Sequence, residues 1–237
     1  MEVQIAVSKV KKYATSTSGD TVEVVERPNG GVSIVMADGQ SSGRGAKWVS
    51  SLVVRKAITL LAEGVRDGAV ARAASDALYT ERGGRVSATL NIISIDMQTN
   101  TIVITRNNPL PVVIAWDEEI KSYDELSKPV GLYRDTRPSI TEVPLEPGLT
   151  IVVFTDGITH AGSRDGRSMD VETCLQSIME DGDPTAKEIA DALLEHAVNL
   201  DSGRPVDDTS VIALRVNPRT NENNIRRMLV SLPIGPI

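Results

Sequence analysis

Apolar residues along this chain change period in blocks, and the order of those blocks constrains the fold more than any single motif. "VQIAVSKV" alternates apolar and polar as a half-buried strand does, and "TVEVVERPNGGVSIVMAD" reads as two strands joined at Pro28-Asn29-Gly30-Gly31. From Gly45 the spacing becomes helical, with Val49, Leu52, Val53, Ala57, Leu60 and Leu61 recurring up to Gly64, and a second helical run, "GAVARAASDALYTERGG", stops at Gly83-Gly84. Strands then return: "SATLNIISIDM" and "TIVITRN" flank Gln98-Thr99-Asn100, and "PVVIAW" and "IKSYDEL" flank Asp117-Glu118-Glu119. After a turn-rich segment come "LTIVVFTDG", helical stretches around "DVETCLQSIMED" and "DPTAKEIADALLEHAVNL", and a last strand, "DTSVIALRV". In the second of those helices Asp183 is the expected N-cap and Pro184 the first helical residue.

Hairpins followed by helices, twice over, exclude the strict strand-helix alternation of a doubly wound parallel sheet. The pattern predicts an α+β fold, antiparallel sheets covered by helices. The length, 237 residues with 41% hydrophobic, is enough to bury a sizeable core. A net charge of −7 and scattered rather than clustered Lys and Arg exclude a nucleic-acid-binding surface. Cys174 stands alone without a neighbouring His or Cys and reads as a small hydrophobe, not as a nucleophile or ligand. The opening residues reverse the order of a secretory signal, and no apolar run reaches the roughly 18 residues of a membrane span, so a cytoplasmic location is expected.

Four aspartates share one setting. Asp20 precedes a strand, Asp38 and Asp156 each end one before a glycine, and Asp207 lies just before the last strand. Asp-Gly occurs in ordinary turns. Carboxylates brought together at one end of stacked strands, however, would repel one another and would need cations in order to ionise together. An all-oxygen donor set favours hard ions such as Mg or Mn over zinc, and two such ions are a usual apparatus for phosphoester hydrolysis.

"SGD" before a hairpin, "MADGQSSGRGAKWVS" leading into a helix, "SATLNIISIDMQTNTIVITRNNPLPVVI", "FTDGITHAG" and "DDTSVIALRV", in that order, resemble the PPM (type 2C) metal-dependent serine/threonine phosphatases. Within them the chain looks most like the SpoIIE/RsbU/RsbX bacterial branch. The resemblance implies an antiparallel β-sandwich flanked by helices on both sides, an α-β-β-α layering, over residues 1–216, with 217–237 as an appended tail whose "RRMLVSLPI" is apolar enough to dock.

Carried over position by position, it implies two Mn2+ or Mg2+ ions held by Asp20, Asp38, the Gly39 carbonyl, Asp156 and Asp207. A metal-bridging water held by Asp38 and Asp20 would attack phosphoserine or phosphothreonine. Asp207 rather than Asp208 matches the ligand of the closing acidic pair. The expected substrates are phosphorylated regulatory proteins, STAS-type anti-sigma-factor antagonists or stressosome components, and the catalytic motifs, starting near residue 1, look more like the stand-alone RsbX type than RsbU.

The chain departs from the pattern at "NNPLP", where many relatives carry a histidine, and at residue 160, where family members often have Glu. Arg44 and His160 are the candidate substrate contacts, His160 as an acid for the leaving oxygen, against the plainer reading of both as surface residues. Two rival readings of the whole chain are a catalytically inactive partner-binding module of the same fold and a small-molecule phosphatase.

Overall fold

A computed structural model describes residues 1–116, 119–219 and 225–233 of the chain. The expected turn at Asp117-Glu118 therefore lies outside the described residues, as do parts of the expected tail. Among the described residues, ten strands form two five-stranded sheets in which every named pair is antiparallel. One holds β2 (Asp20–Glu26), β3 (Val32–Gly39), β4 (Ala88–Asp96), β5 (Thr101–Asn107) and β8 (Ser139–Pro144), in that order. The other runs β1 (Glu2–Val10), β10 (Thr209–Asn217), β9 (Thr150–Phe154), β6 (Val112–Trp116) and β7 (Glu119–Tyr123).

Strict alternation along the central strands builds four layers. Ile34 and Met36 of β3 meet Ile212 and Leu214 of β10 between the sheets. Their neighbours Val35 and Ala37 face outward onto α1 (Gly43–Ala62) and α2 (Asp67–Arg82), through Val49, Val53, Ala57 and Leu78. On the other side Val211 and Ala213 face α4 (Val171–Glu180) and α5 (Ala186–Leu200). Strands buried on both faces must be apolar at nearly every position, which is why "IVMA" and "VIAL" read as unbroken apolar runs. Each fully buried Ile or Leu in these layers contributes about 1.5–3 kcal/mol. Cys174 packs half-buried against the α4/α5 layer, and burial pushes its thiol up, as expected of a small hydrophobe. No described helix is long and apolar enough to cross a membrane.

Two local expectations are corrected. Thr185, not Asp183, caps α5: its hydroxyl accepts from the Glu188 N–H while the Glu188 carboxylate accepts from the Thr185 N–H, a reciprocal capping box. Asp183 instead pairs with the buried Arg215 of β10. Strand β8, inside the segment read as turns, forms because Ser139–Pro144 can pair along the free edge of β5, where a terminal proline costs no ladder hydrogen bond.

Candidate functional site

The two sheets end together at one rim, and the four aspartates lie there. In the β2–β3 pair Asp20 stands directly opposite Asp38, and across β3–β4 Asp38 stands opposite Thr89. Opposed residues of an antiparallel pair point to the same face. Asp38 is two residues beyond Met36, so both carboxylates project on the inner side, toward the other sheet. There β9 runs through Thr155 into the short helix α3 (Asp156–His160), beside the start of β10 and Asp207. Asp38, Asp156 and Asp207 line one cleft of about 440 Å³, together with Lys12, Gly39 and Ser41.

Glycine at positions 39 and 157 is required by close approach, and at neither is φ positive. A Cβ on Gly39 would stand 2.1 Å from the Ala46 carbonyl oxygen, and one on Gly157 2.4 Å from that of Asp208. The Asp-Gly pairs thus let α1 and the start of β10 pack against the chain that carries each acid.

Asp20 is fully buried behind Asp38 and does not line the cleft. Its Oδ2 accepts from the Ser210 hydroxyl (2.6 Å) and the Thr155 hydroxyl (3.1 Å), while Oδ1 is buried with no partner. Lys9 and Lys47 donate to its backbone carbonyl at 3.0 and 2.8 Å. Burial raises its carboxyl above the usual range, opposed by the Ser210 hydrogen bond and the Lys9 charge. Asp38 is pushed up to about 9, first by burial, then by the charges of Asp20, Asp156 and Asp207. Burial and Asp207 raise Asp156, while His160 and Lys12 hold it down.

These acids cannot all ionise without positive charge between them. The unpartnered Asp20 oxygen, the elevated Asp38 and the oxygen-only donors of that pair fit a hard divalent cation. Asp156, Asp207 and His160 form a second cluster, with one ligand atom of each lying within 4.8 Å of the others.

Adjacent acids Asp207 and Asp208 have separate tasks. Asp208 is buried and accepts backbone N–H bonds from Lys12 (2.9 Å) and Gly19 (2.7 Å), fastening the loop before β2 to β10. Asp207 is half-exposed in the cleft, 3.7 Å from the Lys12 ammonium. Asp208→Ala is therefore expected to destabilise the protein by about 1–3 kcal/mol for each N–H left unpaired. Asp207→Asn, which keeps an oxygen to accept the Asp208 N–H, leaves the metal-free midpoint in place and weakens Mn2+ binding; denaturant unfolding with EDTA and calorimetric titration separate the two. The candidate substrate contacts are more peripheral. Arg44 is exposed in the first turn of α1, outside the residues lining the cleft, and His160 is exposed with Nδ1 3.7 Å from Asp156 Oδ2. Lys12, Thr155 and Ser210 escape a search for acids. Their signal lies inside the motifs themselves, as the hydroxyls of "FTDG" and "DDTSV" and the last lysine of "KVKK".

Residues 28–217 match the family model described as stage II sporulation protein E (SpoIIE). The chain belongs to the SpoIIE family. It is 20% identical to stage II sporulation protein E of Bacillus subtilis over 229 residues, which is 91% of this chain and 27% of that protein. The chain thus spans about a quarter of that relative's length.

A structure of the PP2C phosphatase domain of SpoIIE with a fragment of its regulatory domain superposes with a TM-score of 0.79 at 19% identity, covering 93% of this chain and 64% of that one. The catalytic domain of the phosphatase PstP in complex with two manganese ions gives 0.68 at 17% identity, over 91% and 99% of the two chains. RsbX in complex with magnesium gives 0.67 at 15%, over 91% and 96%. The α-β-β-α sandwich is accordingly that of the PP2C-type phosphatases, and the resemblance to the SpoIIE/RsbU/RsbX branch holds.

Proposed function

We propose that this SpoIIE-family chain is a divalent-metal-dependent phosphatase acting on phosphoserine or phosphothreonine of regulatory proteins, STAS-type antagonists or stressosome components. The observation that carries this reading is the convergence of Asp20, Asp38, Asp156 and Asp207 on one rim, with Asp20 Oδ1 buried and unpartnered. The residues that would hold two ions are Asp20, Asp38, the Gly39 carbonyl, Asp156 and Asp207. When bound, such ions supply an activated water and neutralise charge on the phosphoryl oxygens.

The protein's own groups prepare that site. Ser210 and Thr155 fix the Asp20 carboxylate from behind, so it cannot swing away when its neighbours ionise. Asp208 pins Lys12 and Gly19, which keeps a basic side chain at the cleft wall beside Asp207. Hydrolysis breaks the ester P–O bond, forms a new one to the water oxygen, and leaves the proton of that water to the departing serine or threonine oxygen or to solvent.

Asp156 and Asp207 retain 41% and 34% side-chain exposure. A site this open receives a phosphorylated side chain presented on a protein surface, and this favours a phosphoprotein over a small phosphate ester. Turnover of phosphopeptides, sugar phosphates and p-nitrophenyl phosphate with MnCl2 or EDTA tests the proposal. Expected is Mn-dependent hydrolysis with phosphopeptides preferred. Hydrolysis no faster than in the Asp38→Asn variant would instead make the chain a binding module, and a preference for sugar phosphates would make it a small-molecule enzyme.

A further inference from the structure

His160 is exposed beside Asp156 and Asp207, two acids that line the cleft, and it stands where a ligand can stand. The five residues Asp156–His160 form a single helical turn, so the first and last face the same way. His160 Nδ1 lies 3.7 Å from Asp156 Oδ2, and one carboxylate oxygen of Asp207 completes a group of three donor atoms mutually within 4.8 Å. Donors each about 2.1 Å from a shared ion fall within that range of one another. The three come from two separate segments, the start of α3 and the approach to β10, so the fold rather than local sequence assembles them.

The chemistry of this trio differs from that of the Asp20/Asp38 pair. Two carboxylates and an imidazole make a mixed nitrogen-oxygen site, and imidazole suits later first-row ions such as Co2+ and Zn2+ better than Mg2+, which prefers oxygen. We propose that His160 is a metal ligand, completing with Asp156 and Asp207 a site that selects transition-metal dications over Mg2+, while the Asp20/Asp38 side of the cleft remains an oxygen site. The two halves of the centre are then chemically unequal. The inference rests on Asp156 and Asp207 being metal ligands, as in the proposed function.

Calorimetric titration of the metal-free full chain with CoCl2 and with MgCl2, for the native protein, His160→Ala and His160→Gln, tests it. His160 is exposed, so both variants keep the fold, which circular dichroism checks. Expected is a loss of about tenfold or more in Co2+ affinity at one site in both variants, with Mg2+ affinity changed less than about twofold. A paramagnetically shifted imidazole N–H resonance in the Co2+-loaded native protein should vanish in His160→Ala. Equal changes for Co2+ and Mg2+, no change for either, or survival of that resonance would overturn ligation by His160 while leaving the acidic centre intact. Failure of the native chain to bind either ion would overturn the acidic centre and this inference together.

Discussion

Asp38→Asn is expected to lower Mn-dependent phosphoester hydrolysis by at least about 100-fold, since even groups that only orient a metal ligand cost about 10–100-fold when removed. Asp38 lines the cleft with Asp156 and Asp207 and backs onto Asp20, so it adjoins both halves of the acidic cluster. The amide keeps the shape of the carboxyl and is neutral at every pH, so the variant folds without the proton uptake that the native carboxyl, pushed up to about 9, requires. The variant should therefore fold and, without metal, melt above the native protein. Loss of activity with a raised metal-free midpoint identifies a site arranged for cations. Loss of activity with a lowered midpoint would point to structural damage and contradict the account. Steady-state assays with MnCl2 beside thermal melts in EDTA supply both numbers.

Added Mn2+ should stabilise the native chain strongly, and the size of the effect should depend on pH in a definite sense. At a hundred times its dissociation constant a ligand adds about 2.7 kcal/mol, or about 5–10 °C for a protein of this length. The metal-free protein supplies the pH term. Folding raises the Asp38 carboxyl from 3.8 to about 9, so over that interval the folded state binds more protons than the unfolded one. Its contribution is fully present below about pH 4 and is lost progressively as pH rises toward 9. Melts in EDTA should accordingly fall between pH 5 and pH 9. Melts in MnCl2 should fall less or rise, because the ion replaces the proton; the separation between the two curves widens with pH. In Asp38→Asn both the slope and the separation should shrink. A native midpoint that rises with pH in EDTA, or one that Mn2+ leaves unmoved, would contradict the assignment.

Much of this architecture was legible in the residues because burial on both faces leaves a mark. "IVMA" and "VIAL" can be apolar throughout only where a second sheet lies on one side and helices on the other, and the Asp-Gly pairs at the ends of β3 and β9 mark where those strands leave that environment. Strand β8 was not legible, since six residues at a sheet edge need pair with one neighbour only and carry no strong alternation. Asp183 misled for a related reason. It precedes a proline as a cap often does, yet tertiary pairing with the buried Arg215 claimed its carboxylate and left Thr185 to cap α5.

At the site the acids were visible, but their division of labour was not. Spacing alone leaves Asp207 and Asp208 equivalent, whereas three-dimensional neighbours distinguish them: backbone N–H groups from Lys12 and Gly19 occupy Asp208 and leave Asp207 to the cleft. The same holds for Thr155 and Ser210, ordinary hydroxyls until the fold aims them at Asp20 Oδ2. His160 likewise read as a surface residue because nothing in "TDGITHAG" shows that Asp207 lies across from it.

Anomalous diffraction from crystals soaked in MnCl2 is the most direct test of the central claim. Two peaks are expected in the cleft, with Asp38 near both, Asp20 and the Gly39 carbonyl on the inner side, and Asp156 and Asp207 on the outer. A cleft without anomalous density at saturating Mn2+, or peaks bound away from Asp38, would contradict it.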